Sequence, residues 1–402
     1  MSIRATHLVA LLTLSLSAPA ADLTLSINAG AHDRQAAITS ILLPPGTARG
    51  PWSLVTADGT KLAVQVDDRG RAYLAIPVLA AGQRLEGKLQ GVASDAPMVT
   101  LKRQGDALDF TANGKAIARY QGGPGELPAG LGEELRRGGY LINLCTAGGA
   151  LVTEDYPTKH KHHHGVWTAW TKTVFDGRHP DFWNMGTKGA GVQAVAIDAT
   201  WDGVLCAGVR ARHHFLDLSA PDGKSVEVLH ETYEAVIHAP RPGSPVLIDL
   251  TITHTCATDQ PLFLPDYHYG GIGLRGNAAW DGVDNCRYLT SEGKTRKDGN
   301  ESRGRWCWMG GELPGGTAGM VILDHPQNFR HPQPMRLHPD EPFFCYAASR
   351  LGDWAIEPGK PLTMRHRIVA WDGAPDAAVF NRLWTDFAEP AVVSVVTAVA
   401  KP

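Results

Sequence analysis

Hydrophobic and polar residues alternate over short stretches along most of this chain. Apolar or alternating runs recur at Leu23–Asn28, Ala37–Leu43, Leu62–Val66, Ala72–Val78 and Val99–Arg103. Turn signals such as Asp58-Gly59, Arg69-Gly70 and Asn113-Gly114 separate several of them. Short runs with period two between turn residues predict β-strands. A Gly- and Pro-rich stretch follows and reads as a linker. From Tyr140 the runs lengthen: Val192–Trp201, Gly208–Leu216, Val226–His238, Val246–Thr255, Gly319–Asp324 and Leu362–Trp371. Strands of this length joined by short turns predict antiparallel sheets packed face to face. One helix is predicted over Pro375–Phe387, where Ala377, Phe380, Leu383, Trp384 and Phe387 form an apolar stripe suited to core packing. A shorter one is placed at Gly130–Arg137. The fold class is therefore all-β. An N-terminal β module spans 22–125 and a linker 126–139. A large antiparallel β-sandwich spans 140–390 and is closed by one C-terminal helix.

The first twenty residues read differently. Arg4 is followed by the apolar run Leu8–Leu16 and by Ala18-Pro19-Ala20, the order of a secretory signal cleaved near Ala20. The run is too short to span a bilayer, and no later stretch reaches the length a spanning helix needs. A soluble periplasmic or secreted bacterial protein is expected. The net charge of −3 and the lack of a basic block argue against a nucleic-acid partner. Six cysteines contain no C-x-x-C pair, which argues against a thiolate zinc site. Export permits disulfides, and Cys286 with Cys307 is the favoured pair. No G-x-G-x-x-G loop follows a strand and no P-loop occurs, so no nucleotide cofactor is expected.

Chemistry concentrates in Tyr156–Trp183, which holds five of the chain's 17 histidines together with Trp167, Trp170, Trp183, Asp176 and Asp181. In an extended segment His160, His162 and His164 share one face, which makes them candidate ligands for a divalent metal. The same histidines are equally suited to line a metal-free sugar cleft. The stretch Leu264–Trp280 offers Tyr267, His268 and Tyr269 before a Gly-Gly pair and Arg275. Histidine and tyrosine transfer protons, and arginine clamps carboxylates. His163, His164, Tyr267, His268, Tyr269 and Arg275 are thus the candidate catalytic set. Candidate substrate-binding residues are Trp167, Asp176, Asp181, Trp183, His230, Asn328, Arg330 and His331. The last three lie in a Pro-bounded loop after a strand. Glu231 and His230, being adjacent on a strand, point to opposite faces.

The stretches TEDYPTKHKHHHGVWTAWTKT, YGGIGLRG, DHPQNFRHP and PGKPLTMRHRIVAWDG together resemble the bacterial PmoA-like family, often labelled "methane oxygenase PmoA". The likeness covers about residues 140–390. Lys159 stands where members commonly carry Asp. A membrane oxygenase subunit needs spanning segments, and this chain offers none. The resemblance implies an exported, carbohydrate-active β protein, similar in pattern to the supersandwich of galactose-mutarotase-like and polysaccharide-lyase domains. The expected partner is then a glycan or oligosaccharide. The leading expectation is cleavage of a glycosidic bond by β-elimination at a uronic acid through His, Tyr and Arg. Alternatives are a glycoside hydrolase using Asp and Glu, a sugar epimerase, a 3-keto-glycoside-cleaving enzyme, and a non-catalytic carbohydrate-binding protein.

Overall fold

The computed structural model describes residues 23–92, 97–241 and 243–396. The expected export signal lies outside them. Three antiparallel sheets and a two-stranded ribbon carry the described chain. Two eight-stranded sheets pack face to face as the sandwich. The first, called here the site sheet, has the order Met335–Leu337, Phe343–Tyr346, Gly271–Arg275, Val166–Ala169, Tyr140–Ile142, Lys115–Gln121, Ala107–Ala112 and Val99–Gln104. The second, the long sheet, runs Ala190–Trp201, Cys206–Asp217, Val226–His238, Val246–Cys256, Leu362–Asp372, Gly316–Asp324, Trp306–Leu313 and Arg287–Thr290.

The period-two pattern is realised directly. Along Val246–Cys256 the residues alternate between buried and half-buried, so Val246, Ile248, Leu250 and Ile252 face the sandwich interior. They join one continuous core with apolar residues of the site sheet such as Leu141, Ile272 and Leu274. The helix Ala377–Ala388 begins two residues later than expected because Asp376 caps it, accepting the backbone N–H groups of Ala378 and Val379. Its apolar stripe covers the outer face of the long sheet, where Phe380 and Leu383 pack on Trp306, Trp308, Val321 and Val369. Full burial of a side chain such as Phe380 contributes about 2–3 kcal/mol. The second expected helix is reduced to one 3-10 turn at Glu133–Leu135.

The expected domain boundary at residue 125 does not hold. Strands Val99–Gln104, Ala107–Ala112 and Lys115–Gln121 belong to the site sheet, because Lys115–Gln121 continues its ladder onto Tyr140–Ile142. The N-terminal unit is a seven-stranded sheet that ends with Arg84–Gly91 and takes back the C-terminal strand Val392–Val396, paired with Thr24–Asn28. It is tied to the helix by Arg34, whose guanidinium donates to Asp386 at 2.9 Å with both side chains buried. Gln65 reaches the sandwich edge, accepting the backbone N–H groups of Leu205 and Cys206. All six cysteines are free thiols, so the Cys286–Cys307 bridge is not formed. Among the described residues no helix is long and apolar enough to cross a membrane.

Arg34→Ala leaves Asp386 buried without its partner. Loss of one partner of such a pair costs about 3–5 kcal/mol, so urea denaturation should show a large fall in stability with little change in overall strand content.

Candidate active site

The site lies on the outward face of the site sheet. Thr168 points inward, its hydroxyl donating to Glu231 of the long sheet, so the adjacent Trp167 points outward. Trp167, Gly273 and Phe343 form the floor. Gly273 is required there: a Cβ would stand 2.8 Å from the Trp183 ring and 2.9 Å from Trp167. Four segments wall the floor: the histidine stretch before Val166, the turn carrying Trp183 and Asn184, the Tyr267–Tyr269 loop, and the loop around His338. They enclose a cavity of about 180 Å³ lined by His160, His162, His163, Trp183, Asn184, His268, Tyr269, Arg336, His338 and Phe343.

The histidines stack upon one another and on aromatic rings. His163 lies between His160 at 4.9 Å and Phe343 at 4.5 Å, both nearly parallel. Burial, then the neighbouring histidines and Arg275, push the His163 pKa well down. Burial likewise lowers His162 to about 4, with His160 and His164 adding to the effect. His268 and His338 are lowered too, first by burial. His162, His163, His268 and His338 are therefore neutral at neutral pH.

Glu341 organises this wall. Its Oε2 accepts from His160 Nδ1 at 2.7 Å and from Arg275 at 2.6 Å. Burial would raise its pKa, but these hydrogen bonds outweigh burial and hold it low. The carboxylate fixes the His160 tautomer with the proton on Nδ1, leaving Nε2 as a lone pair without a partner among the described residues. The Glu341 backbone N–H donates to His338 Nδ1 at 3.1 Å, which places the His338 proton on Nε2. Asp340 Oδ1 stands 3.0 Å from His338 Nδ1. On the opposite wall Tyr269 exchanges hydrogen bonds with Asn184 at 3.2 and 3.3 Å, and burial raises its pKa. One basic and one acidic nitrogen, a tyrosine hydroxyl and the Arg336 cation thus border one small space.

His160, His338 and Glu341 bring donor atoms within 4.8 Å of one another, the geometry of a metal trio. Arg275 and His160 already share Glu341 Oε2, and a metal there would have to compete with the guanidinium. The expected trio of His160, His162 and His164 does not assemble. His164 is fully buried on the far side, stacked on Tyr140 at 4.1 Å and hydrogen-bonded to Asp155.

The structure brings together His163, His268, Tyr269 and Trp183 with His160 and His162. Tyr267 packs against Tyr269 with ring centres 4.8 Å apart, outside the cavity lining. Other expectations fail for physical reasons. Arg275 is wholly buried and spends its guanidinium on Glu154, Asp281 and Glu341, so it cannot clamp a substrate. Trp167 is 1% exposed and serves as floor, not platform. Asp176 pairs with Arg178 on the surface. Asp181 turns its carboxylate onto Trp183, Asn184 and Thr171, holding Asn184 in place behind the wall. His230 lies on the outer face of the long sheet, paired with Glu227. Asn328 and His331 bind Asp324, and Arg330 caps the carbonyls of Ala348 and Gly352.

Sequence reasoning missed Glu341, His338, Arg336 and Phe343. The run His338-Pro-Asp-Glu341-Pro, with three ionisable groups and two prolines in five residues, was the available signal. Glu231 forms a second polar cluster between the sheets. It accepts from His213, His254 and Thr168, while Tyr120 and Trp170 complete the chain. These hydrogen bonds outweigh the effect of burial and hold Glu231 well below the usual carboxylate range.

A family model matches residues 107–385, from within the sandwich to the helix. The chain belongs to the family of unknown function DUF6807. No curated protein matches this DUF6807 chain. A solved structure, described as a protein in the Glycosyl Hydrolase Family 38 from Enterococcus faecalis, overlays with a TM-score of 0.45 and 10% identity. The overlay covers 95% of this chain and 48% of that one, so this chain spans about half the length of its neighbour. So loose a likeness carries no argument about activity.

The low pKa values have a consequence for stability. An unfolded histidine titrates near about 6.5, whereas burial lowers His162, His163, His164 and His366 in the fold. Below that pH the unfolded chain binds protons that the native chain refuses. Stability is therefore complete above about pH 6.5 and falls as pH drops toward the folded values, by up to about 1.4 kcal/mol per group per pH unit. Urea midpoints at about pH 7.5 and about pH 5 check this; equal midpoints would contradict the buried, neutral state of these rings.

Proposed function

We propose that this DUF6807 protein is an exported carbohydrate-active enzyme that cleaves an acidic oligosaccharide by β-elimination. One observation carries the reading: the ionisable groups of the cavity wall are histidines, a tyrosine and one arginine, and Glu341 behind it is already bonded to His160 and Arg275. Hydrolysis with two carboxylates needs an acid and a second carboxylate flanking the scissile bond, and no carboxylate lines this cavity among the described residues. The buried tryptophans also remove the platforms that a purely binding role would use.

Elimination uses the groups present. The carboxylate of a uronic acid pairs with Arg336. His160 Nε2 takes the proton from the carbon beside that carboxylate, and Glu341 stabilises the imidazolium as it forms. The charge developing on the carboxylate is met by Arg336 and the His338 Nε2–H. The electron pair released from the C–H bond forms the carbon–carbon double bond, and the glycosidic C–O bond breaks. The departing oxygen takes its proton from the Tyr269 hydroxyl, which its raised pKa keeps protonated. Products are one saturated sugar and one unsaturated uronate.

Uronate-containing and neutral oligosaccharides should be incubated with the protein and products read by near-ultraviolet absorbance and mass. An unsaturated product from the uronates alone is expected. His160→Ala should lower kcat by about 10²–10⁴-fold, while Arg336→Ala should raise KM and lower kcat together. Saturated products from a neutral glycan would replace this reading with hydrolysis.

A further inference from the structure

The outer face of the long sheet carries a second convergent cluster, far in sequence from the histidine stretch and unused by the chemistry above. His214 and His230 are directly opposed on neighbouring antiparallel strands, their rings stacked 4.3 Å apart. Glu227 lies three positions before His230, a spacing that in a regular strand puts the two side chains on opposite faces. A β-bulge reverses this. Leu216 pairs with Glu227 but Phe215 pairs with Leu229, so Val228 is the additional residue. Val228 and Leu229 are both fully buried, and Glu227 and His230 both emerge on the solvent face. One carboxylate oxygen then lies 2.9 Å from His214 Nδ1 and the other 2.8 Å from His230 Nε2.

We propose that His214, Glu227 and His230 form a zinc-class divalent metal site on the solvent face of the long sheet. Two imidazoles and one carboxylate are the donor set of borderline ions such as Zn²⁺, with a fourth position left to water. The three donor atoms already lie within 4.8 Å of one another. Each ring needs only the neutral tautomer with its proton on the distal nitrogen, and the carboxylate supplies charge. The donors must open by about 0.5 Å to reach zinc's usual bond lengths. Among the described residues no lysine or arginine is bonded to this carboxylate, in contrast to Glu341, whose oxygen holds Arg275. The two strands thus present a cross-strand clasp, and the ion would pin the strand register across the bulge.

Titration calorimetry of the metal-stripped full chain with Zn²⁺ tests this. One equivalent should bind, and His230→Ala and Glu227→Gln should each weaken binding at least tenfold. All three residues are at least partly solvent-exposed, so the variants should retain the wild-type circular dichroism spectrum. Thermal melting should show a zinc-dependent rise that the variants lack. A His160→Ala/His162→Ala protein separates this site from the cavity and should bind as wild type does. Binding unchanged in His230→Ala, or lost in the His160→Ala/His162→Ala protein instead, overturns the proposal.

Discussion

The candidate site depends on one buried guanidinium. Arg275 ends the strand Gly271–Arg275 with its side chain wholly out of solvent. Its three hydrogen bonds go to Glu154, Asp281 and Glu341, residues from three separate loops. A buried cation of this kind is tolerated only when fully paired, so those loops must converge wherever the strand places Arg275. The convergence brings Glu341 beneath His160 and thereby sets which nitrogen of His160 bears the proton. Burial raises the Glu154 carboxyl, against the pull of Arg275, which reduces the surplus of negative charge that three carboxylates would otherwise create. The arginine is thus a keystone for the proton-transfer groups rather than a contact for substrate.

The rest of the wall follows from packing. Imidazoles that stack on Phe343, Trp167 and one another lose water, and the loss keeps them neutral. Neutral rings can be crowded without repulsion, which is why His162 and His163 fit side by side at a cavity of about 180 Å³. Arg336 is then the cationic side chain of the lining, and it biases the space toward an anionic group. The same economy recurs between the sheets, where Glu231 is surrounded by hydrogen-bond donors and fixes how the two sheets face each other.

The N-terminal sheet meets the sandwich through its strands Lys61–Val66 and Arg71–Leu79. Its last strand comes from the far end of the chain, so residues 392–396 close a unit that begins at Thr24. Tyr73 and Ala75 pack against Trp201 and Cys206 where the two units meet. The strands of 99–121 have the same short alternating pattern as those before them, and pattern alone therefore assigned them to the wrong unit.

Strand and helix positions were legible because they depend on local periodicity. Val246–Cys256 and the stripe of Phe380 and Leu383 each bury one face, and a buried face has to repeat with the period of its element. The importance of the histidine stretch was legible from composition, and the opposition of His230 and Glu231 from strand geometry. Which side chains meet was not, since contact between residues 160, 275, 336 and 341 is made by sheet pairing and loop closure over long separations. Arg275 and Arg336 are alike in sequence; only the fold buries one among carboxylates and leaves the other at the cavity. The tryptophans were equally ambiguous, because a flat apolar ring serves a sugar or a core, and burial by neighbouring loops decides between them. What the sequence alone determined was the set of strands and the kinds of chemistry available. The tertiary structure decided the sheet order, the tautomers and the residues that share one space, because each of these depends on neighbours brought from elsewhere in the chain.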